Sequence, residues 1–210
     1  EEVFSSIELP DGPVAVVTAG FQDREGECGV EFQFLQGHYF DLELYRRADR
    51  VFQKDPNFRE AHREMQRVLR EIERLYDARL SYLIQSVRQL LSDRANRGLL
   101  GPEQEHAMEQ LRALDTWHLQ RITEIRSEFL DKWNPTGRDA VKKERDELEK
   151  LLSPVSAVVI TGGHVAVLLN RLRLFDMKPL LMNKTLLAWS AGAMVLTERV
   201  VLFHDHPPQG

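Results

Sequence analysis

A block of charged sequence at residues 42–150 interrupts this chain, and apolar residues recur within it every three or four positions. That spacing is typical of helices that bury one face. Apolar stripes of this kind cover residues 65–91, 108–133 and 141–152. We therefore predict an all-α insertion at residues 42–150, folded as an antiparallel helical hairpin or a small bundle.

Two breaks divide this block into three predicted helices. Residues 96–98 (Asn-Arg-Gly) signal a helix end, and Gly101 followed by Pro102 favours the start of the next helix. Residues 134–137 (Asn-Pro-Thr-Gly) then separate the second helix from the third. The apolar stripes are explained by packing, and the charges are typical of a solvated outer face. The insertion is either a self-packed lobe or a surface for a homo-oligomer or a partner protein.

The charge balance narrows the classes of partner. The chain has 33 acidic and 28 basic residues, for a formal net charge of -5. Such a chain has no general attraction for nucleic acid or for an anionic membrane. No apolar run approaches the roughly 18 to 20 residues that span a bilayer. We therefore expect neither nucleic acid nor membrane among the partners.

The sequence on either side of the block follows a different pattern. Residues 13–20, 156–161 and 185–189 are short, β-branched or apolar runs, which predict buried parallel strands. An apolar helix is predicted at residues 165–175, between the second and third runs. Strand, turn, helix and strand in this order are typical of an α/β fold with a parallel sheet. We assign residues 1–41 and 151–210 to one discontinuous α/β domain.

The strongest candidate for chemistry is the run at residues 188–193 (Ala-Trp-Ser-Ala-Gly-Ala). A strand leads directly into Ser190, and a sequence compatible with a helix follows. A nucleophile elbow requires small neighbours, because its serine sits in a strained strand-to-helix turn. The same residues are also compatible with plain tight packing at a strand–helix junction. In the first interpretation, Ser190 is the nucleophile and the N–H of Ala191 is an oxyanion donor.

A second glycine-rich corner follows the strand at residues 156–161. An oxyanion hole needs two donors directed at one oxygen, so the N–H of Gly163 is a candidate to pair with that of Ala191. Gly162 and His164 are candidates to line the substrate pocket. The alternative is a Gly-Gly turn selected for close strand–helix packing. The phosphate-loop pattern is absent, since neither Gly-x-Gly-x-x-Gly nor a Walker lysine occurs here.

These motifs, in this order, make the chain similar to the peptidase E and cyanophycinase family of serine peptidases. Thr18 and Ala19 end the first strand, the Gly162-Gly163 corner ends the second, and residues 189–193 form the elbow. The resemblance implies a class I glutamine amidotransferase-like, flavodoxin-like parallel sheet with a large helical insertion. The family has Asn after the glycine pair, where this chain has His164. The block at 42–150 has no counterpart in the short members.

The resemblance also implies the remaining catalytic partners. Family members have an Asp followed by x-Pro fifteen residues after the serine, and Asp205 stands at that position, so it is the candidate acidic partner. The family's histidine base lies on a later strand. We expect it beyond Gly210 and expect the α/β domain to be incomplete at its C-terminus. His204 and His206 are a substitute base, a His-x-His metal pair or ordinary loop residues.

The predicted function is a serine hydrolase, a peptidase E-like enzyme acting on short peptides. The mechanism requires neither a metal nor an organic cofactor. The alternative is a non-catalytic peptidase-like module that works through its helical insertion. The elbow holds Ser190, so the single Cys28 is interpreted as an incidental loop thiol. Since one cysteine cannot form an internal disulfide, we expect a reducing, cytoplasmic location.

Overall fold

The computed structural model describes residues 9–27, 32, 35, 39–94, 97–198 and 200. Within these ranges the chain forms a mixed α/β structure with one parallel sheet. The strands are β1 (Val14–Val17), β2 (Tyr39–Asp41), β3 (Ala157–Ile160) and β4 (Thr185–Ala188). The helices are α1 (Leu44–Lys54), α2 (Pro56–Ser92), α3 (Arg97–Trp133), α4 (Asp139–Leu152), α5 (Val165–Leu174), α6 (Met177–Leu181) and α7 (Ala191–Val195). Two 3-10 turns cover Ala19–Arg24 and Pro135–Gly137.

The four described strands lie in the order β2-β1-β3-β4, and all neighbours pair in parallel. The two central strands, Val-Ala-Val-Val and Ala-Val-Val-Ile, are buried along their whole length. Continuous β-branched runs favour strands covered on both faces. In register, Ile160 pairs with Val17 on one side and with Ala188 on the other. The ends of β1, β3 and β4 are therefore aligned at one edge of the sheet.

The chain divides into two compact units. We call residues Glu1–Arg59 with Asn134–Gly210 the α/β unit, and residues Glu60–Trp133 the helical unit. Residues 42–59 and 134–150, which the sequence pattern assigns to the insertion, thus group with the sheet. The reason is that α1 packs against both α4 and α5, and that side chains of α1 and α4 such as Val51 and Leu148 are buried.

The prediction of an α/β fold with a parallel sheet is confirmed, and the predicted strands at 13–20, 156–161 and 185–189 are present at β1, β3 and β4. The prediction that the third strand is buried is wrong: β4 is exposed or partly buried, because among the described strands it pairs with β3 alone. The short strand β2 was missed, because three residues are too few to show a period. The first predicted helix is two helices. Asp55 separates them, and its Oδ1 accepts the N–H of Phe58 at 3.0 Å, which caps the start of α2.

The second long helix also differs from its prediction. It begins at Arg97, and Pro102 lies inside it. The sequence pattern placed the start at Gly101 and Pro102, because proline favours a first turn. Here the helix tolerates the loss of one backbone N–H at Pro102. No helix within the described ranges has the length and apolar character needed to cross a bilayer.

Candidate functional site

Ser190 stands directly between β4 and α7. Its backbone has φ 52° and ψ −128°, a conformation that glycine adopts readily and that strains other residues. Ser190 is exposed. A serine at the residue before a helix usually bonds to the first turn, but this hydroxyl makes no such bond. The chain therefore turns sharply at Ser190, and the residue stays exposed.

The glycines around this turn allow the strands and helices to approach closely. A Cβ added at Gly162 would lie 3.1 Å from the Cβ and 3.2 Å from the Oγ of Ser190. A Cβ added at Gly192 would lie 2.1 Å from the carbonyl oxygen of Ile160. Real Cβ atoms do not approach carbonyl oxygens so closely, so Gly192 has no room for a side chain. The structure thus brings the predicted corner at Gly162 against the predicted nucleophile.

A third chain segment closes on the same corner. Gly163 has φ 102°, a backbone conformation that favours glycine. A Cβ at Gly163 would lie 2.3 Å from the carbonyl oxygen of Gly20, which also accepts the N–H of His164 at 2.7 Å. Gly20 lies in the turn after β1. The ends of β1, β3 and β4 therefore meet through Gly20, Gly163 and Ser190.

The two predicted oxyanion donors are both at this meeting point. Within the described part of the chain, the N–H of Gly163 donates no hydrogen bond to a loop or to another element. Ala191 is the first residue of α7, where a backbone N–H has no acceptor in its own helix. Gly163 is exposed and Ala191 is buried beneath the turn. Ala191 directly follows Ser190, and Gly163 directly follows Gly162, which contacts Ser190.

His164 is the residue before α5 and is partly exposed. Its Nδ1 accepts the backbone N–H of Val167 at 3.3 Å, so the imidazole caps the first turn of the helix. The sequence suggested His164 as a pocket residue. His164 follows Gly162 by two residues in the sequence. In the structure it lies, like Ser190, at the carboxyl ends of the strands.

Polar side chains that the sequence did not suggest hold the turn after β1. The hydroxyl of Thr18 donates to the carboxylate of Asp41, at the end of β2, and accepts the N–H of Gly26 at 2.9 Å. The other carboxylate oxygen of Asp41 accepts the N–H of Glu43 at 2.7 Å. Burial raises the pKa of Asp41, while these hydrogen bonds oppose the rise. The arrangement ties the segment that contains Gly20 to the sheet.

Glu25 ties the far end of that segment to α1. It is 1% exposed, and its two carboxylate oxygens accept the N–H groups of Tyr45 and Arg46, each at 2.8 Å. Burial raises the pKa of Glu25 to about 7, although these two backbone hydrogen bonds lower it. No sequence signal singled out Glu25, because only the fold brings it beneath the first turn of α1.

Gln22 is a second strained residue that the sequence did not reveal. It has φ 57° and ψ −122°, nearly the conformation of Ser190, and it lies in the same segment as Gly20. Its carbonyl oxygen accepts the N–H of Glu25 at 2.8 Å. No local sequence pattern predicts this strained backbone conformation, since glutamine is an ordinary residue in a turn.

Several predicted site residues lie outside the described residues. These are the acidic partner Asp205 and its neighbours His204 and His206. Cys28, which was interpreted as an incidental thiol, also lies outside them. Among the residues that the structure describes, no group of three or more His, Cys, Asp or Glu side chains could hold a metal ion. The site as described therefore consists of Ser190, Ala191, the glycine corner and His164.

No family model, curated protein or solved structure matches this chain.

Proposed function

We propose that this protein is a serine hydrolase, a peptidase E-like enzyme acting on short peptides, with Ser190 as the nucleophile. One observation carries the proposal. Ser190 is an exposed residue, keeps a strained backbone conformation and has a hydroxyl that makes no capping bond. Strain of this kind persists only where the surroundings enforce it, and it is concentrated at functional sites. A packing junction alone would be satisfied by glycine at this position.

The proposed reaction is acyl transfer to Ser190. Its Oγ attacks the scissile carbonyl carbon and forms a C–O bond, and the hydroxyl proton passes to a histidine base. The N–H groups of Gly163 and Ala191 stabilise the oxyanion. Breakdown of the tetrahedral intermediate cleaves the C–N bond, and the base returns the proton to the leaving amine. Water then hydrolyses the acyl-enzyme. Asp205 is proposed to orient the base.

The sheet supports this assignment and a finer fold. In open parallel α/β sheets, ligands bind beyond the carboxyl ends of the strands. Ser190 and Gly163 stand at those ends of β4 and β3. We propose a class I glutamine amidotransferase-like, flavodoxin-like fold, in which the helical unit is an elaboration. With one cysteine in the chain, we propose a reducing cytoplasm as its location.

A fluorophosphonate probe tests the proposal without a known substrate, because it modifies activated serines. We expect labelling of the full chain at Ser190, located by peptide mass spectrometry. Ser190→Ala should lose the label and keep its circular dichroism spectrum. The matched control is Ser153→Ala, which removes an exposed serine at the end of α4 and should label like the wild type. A folded wild type that takes up no label would refute the proposal.

Ser190→Gly sharpens the same test. Glycine adopts the backbone angles of Ser190 without strain. The free energy of unfolding of this variant should therefore exceed that of the wild type by about 1 to 2 kcal/mol. It should also lose all labelling. A gain in stability together with a loss of reactivity is expected of a functional residue under strain. Equal or lower stability would mean that the turn at Ser190 stores no strain.

A second candidate is a binding module that works through the helical unit. The observation in its favour is that large apolar side chains there are exposed, including Tyr82 at 74% and Trp117 at 54%. Exposed aromatic residues are enriched at protein interfaces. A folded but unlabelled wild type, with a concentration-dependent sedimentation coefficient that Trp117→Ala abolishes, would favour this function.

A further inference from the structure

We propose that the outer side of α2 in the helical unit is an interface between two copies of this chain, in which the two α2 helices pack antiparallel. The inference goes beyond the proposed function and does not depend on the reactivity of Ser190. We call this side of α2 the outer seam. Its members recur at alternating spacings of three and four residues and are Met65, Val68, Ile72, Leu75, Arg79 and Tyr82. Such spacing is typical of a helix that packs against another helix.

The inner side of α2 packs against α3. The hydroxyl of Tyr76 donates to the carboxylate of Asp115 at 2.8 Å, and the Tyr76 ring stacks on that of His118 with 4.0 Å between the centroids. Further along α2, the carbonyl oxygen of Leu90 accepts a hydrogen bond from the side chain of Gln104 at 2.9 Å. Since Gln104 comes before Asp115 on α3, the two helices run antiparallel.

The outer seam lies on another side of the same helix. Leu75 directly precedes Tyr76, and successive residues are about 100° apart around a helix axis. Leu75 is 50% exposed, and Tyr82, seven residues later, is 74% exposed. A helix with a single packed side is expected to be polar on its other sides. α2 therefore has two apolar sides, and its contact with α3 leaves Leu75 and Tyr82 exposed.

Trp117 enlarges this apolar surface from the neighbouring helix. It directly precedes His118, as Leu75 precedes Tyr76, and it is 54% exposed. In an antiparallel pair, the residues that precede the contact positions of the two helices lie on the same side of the pair. Leu75 and Trp117 therefore share one side of the hairpin. Aromatic side chains such as Trp117 are enriched at the cores of protein interfaces.

This side of the hairpin is large enough for a stable dimer. α2 and α3 are 37-residue helices, so each is about 55 Å long, and two helices side by side are about 20 Å wide. One side of the pair therefore offers roughly 1,000 Å², and a standard interface buries about 800 Å² of each partner. Two hairpins packed in this way form a four-helix bundle, in which helices bury apolar sides against one another.

The charges of the helical unit favour a second copy over a strongly charged partner. Residues 60–133 contain 13 acidic and 12 basic side chains, and both signs are interspersed along α2. Two copies therefore repel each other little. Nucleic acid and anionic membranes attract proteins with a net positive surface, which this balance does not supply.

Arg79, the charged member of the outer seam, sets the register of the proposed pair. It is exposed and forms no ion pair with any other residue that the structure describes. In the proposed dimer, Ile72 faces Leu75 of the second copy. Arg79 then lies opposite Val68 of that copy, one helical turn from Glu71, whose side chain is 53% exposed. The two-fold symmetry repeats this contact, so each Arg79 meets an opposite charge.

Matched substitutions on the two sides of the hairpin test the interface. Leu75 and Leu119 are almost equally exposed, at 50% and 52%, but Leu119 follows His118 and so lies on the side opposite to Trp117. The full chain is measured by sedimentation velocity between about 1 and about 100 µM, with circular dichroism as the check on folding. We expect the wild type to dimerise. Leu75→Glu should raise the dissociation constant at least about a hundredfold, because it buries two unpaired charges. Leu119→Glu should stay within about threefold of the wild type.

Further variants test the seam and its register. Tyr82→Ser removes a side chain that is mostly exposed in the single chain, so it should fold normally and raise the dissociation constant about tenfold. Arg79→Glu places like charges together and should also weaken the dimer about tenfold. Adding Glu71→Arg to Arg79→Glu restores opposite charges across the interface. This double variant should return to within about threefold of the wild type.

Three results would overturn the inference. A wild type that stays monomeric up to about 100 µM would mean that the seam does not bind a second copy. If Leu119→Glu dissociates the dimer as strongly as Leu75→Glu, the contact lies elsewhere. A double variant no tighter than Arg79→Glu alone would exclude the antiparallel register. Labelling of Ser190 is read separately: a labelled monomer leaves the proposed function intact without this inference, and an unlabelled dimer does the reverse.

Discussion

The α/β unit and the helical unit are stabilised in different ways. In the described part of the chain, most of the fully buried apolar side chains lie in the α/β unit, and only Leu69, Ala107 and Leu114 of the buried apolar residues lie in the helical unit. The large apolar side chains that remain exposed show the opposite distribution. Those in the helical unit are Leu75, Tyr82, Leu91, Leu99, Trp117, Leu119 and Leu130.

Ion pairs show the same contrast. In the α/β unit, the carboxylate of Glu144 is 3% exposed and accepts hydrogen bonds from Arg47 and Arg50. In the helical unit, pairs such as Glu64 with Arg67 link residues three apart on an exposed helix surface. Water replaces an exposed pair at little cost, but it cannot reach a buried one. The two units should therefore respond differently to equivalent substitutions.

The largest expected difference in stability between the two units follows from replacing a glycine with alanine. Gly192→Ala would place a Cβ 2.1 Å from the carbonyl oxygen of Ile160, and backbone atoms cannot move aside cheaply. We expect the free energy of unfolding to fall by about 4 kcal/mol. Urea denaturation followed by circular dichroism measures this change.

Gly101→Ala in the helical unit is the matched control. A Cβ at Gly101 would meet nothing within 4 Å, and alanine favours a helix over glycine. The free energy of unfolding of this variant should rise by about 0.5 kcal/mol. If both alanines have equal effects, the close approach of Gly192 to Ile160 does not occur in solution.

The next largest difference in stability between the two units follows from removing the carboxylate of an ion pair. Although burial favours the protonated carboxyl, hydrogen bonds and charges from Arg50 and Arg47 hold the pKa of Glu144 below its ordinary value. Glu144→Gln leaves the buried guanidinium of Arg47 without its closest charge, and should cost about 3 kcal/mol in the free energy of unfolding.

Glu64→Gln removes an exposed carboxylate from the helical unit and serves as the control for this pair. We expect its unfolding curve to coincide with that of the wild type. If Glu64→Gln lowered the free energy of unfolding as much as Glu144→Gln does, the contrast between the two units would be wrong.

The smallest of the three effects depends on pH. The pKa of Glu25 is about 7 in the folded protein, above its ordinary value of 4.5. The folded state therefore binds the proton more tightly than the unfolded state, so this contribution to stability is complete at low pH and is lost as the pH rises through about 7. As the pH rises from about 5 to about 8, deprotonation of Glu25 should lower the free energy of unfolding by about 2.5 kcal/mol.

Glu25→Gln removes this titration and leaves a neutral acceptor beneath α1. We expect the difference in unfolding free energy between wild type and variant to change with pH by that amount. Melts at a series of pH values measure it. A difference that is constant across this range would mean that Glu25 titrates at its ordinary value in the folded protein.

Local patterns were sufficient to predict the long elements of this chain. The β-branched runs predicted β1 and β3, because continuous burial selects such residues over the whole strand. The apolar run at residues 185–189 predicted β4, although that strand is exposed or partly buried along its length. The three-to-four spacing predicted the long helices, because a half-buried helix needs an apolar stripe. The break at Asp55 and the start at Arg97 were missed, since helix ends depend on single capping contacts.

The candidate site was predictable only in part. Ser190, Gly162 and Gly163 were visible because a tight turn needs small residues in a short run. Gly20, Glu25 and Gln22 were not visible, because their roles depend on contacts between segments far apart in the sequence. The close approach of Gly20 to Gly163, across more than a hundred residues, has no local signature.

The sequence by itself determined that strands flank a helical block and that a serine follows one strand at a turn of small residues. Those features follow from short-range sterics and burial, which each stretch of chain encodes locally. Only the tertiary structure decided that three strand ends meet at Ser190, that Glu25 lies beneath α1, and that α1 and α4 group with the sheet. Such features depend on which surfaces exclude water together, and that is a property of the whole folded chain.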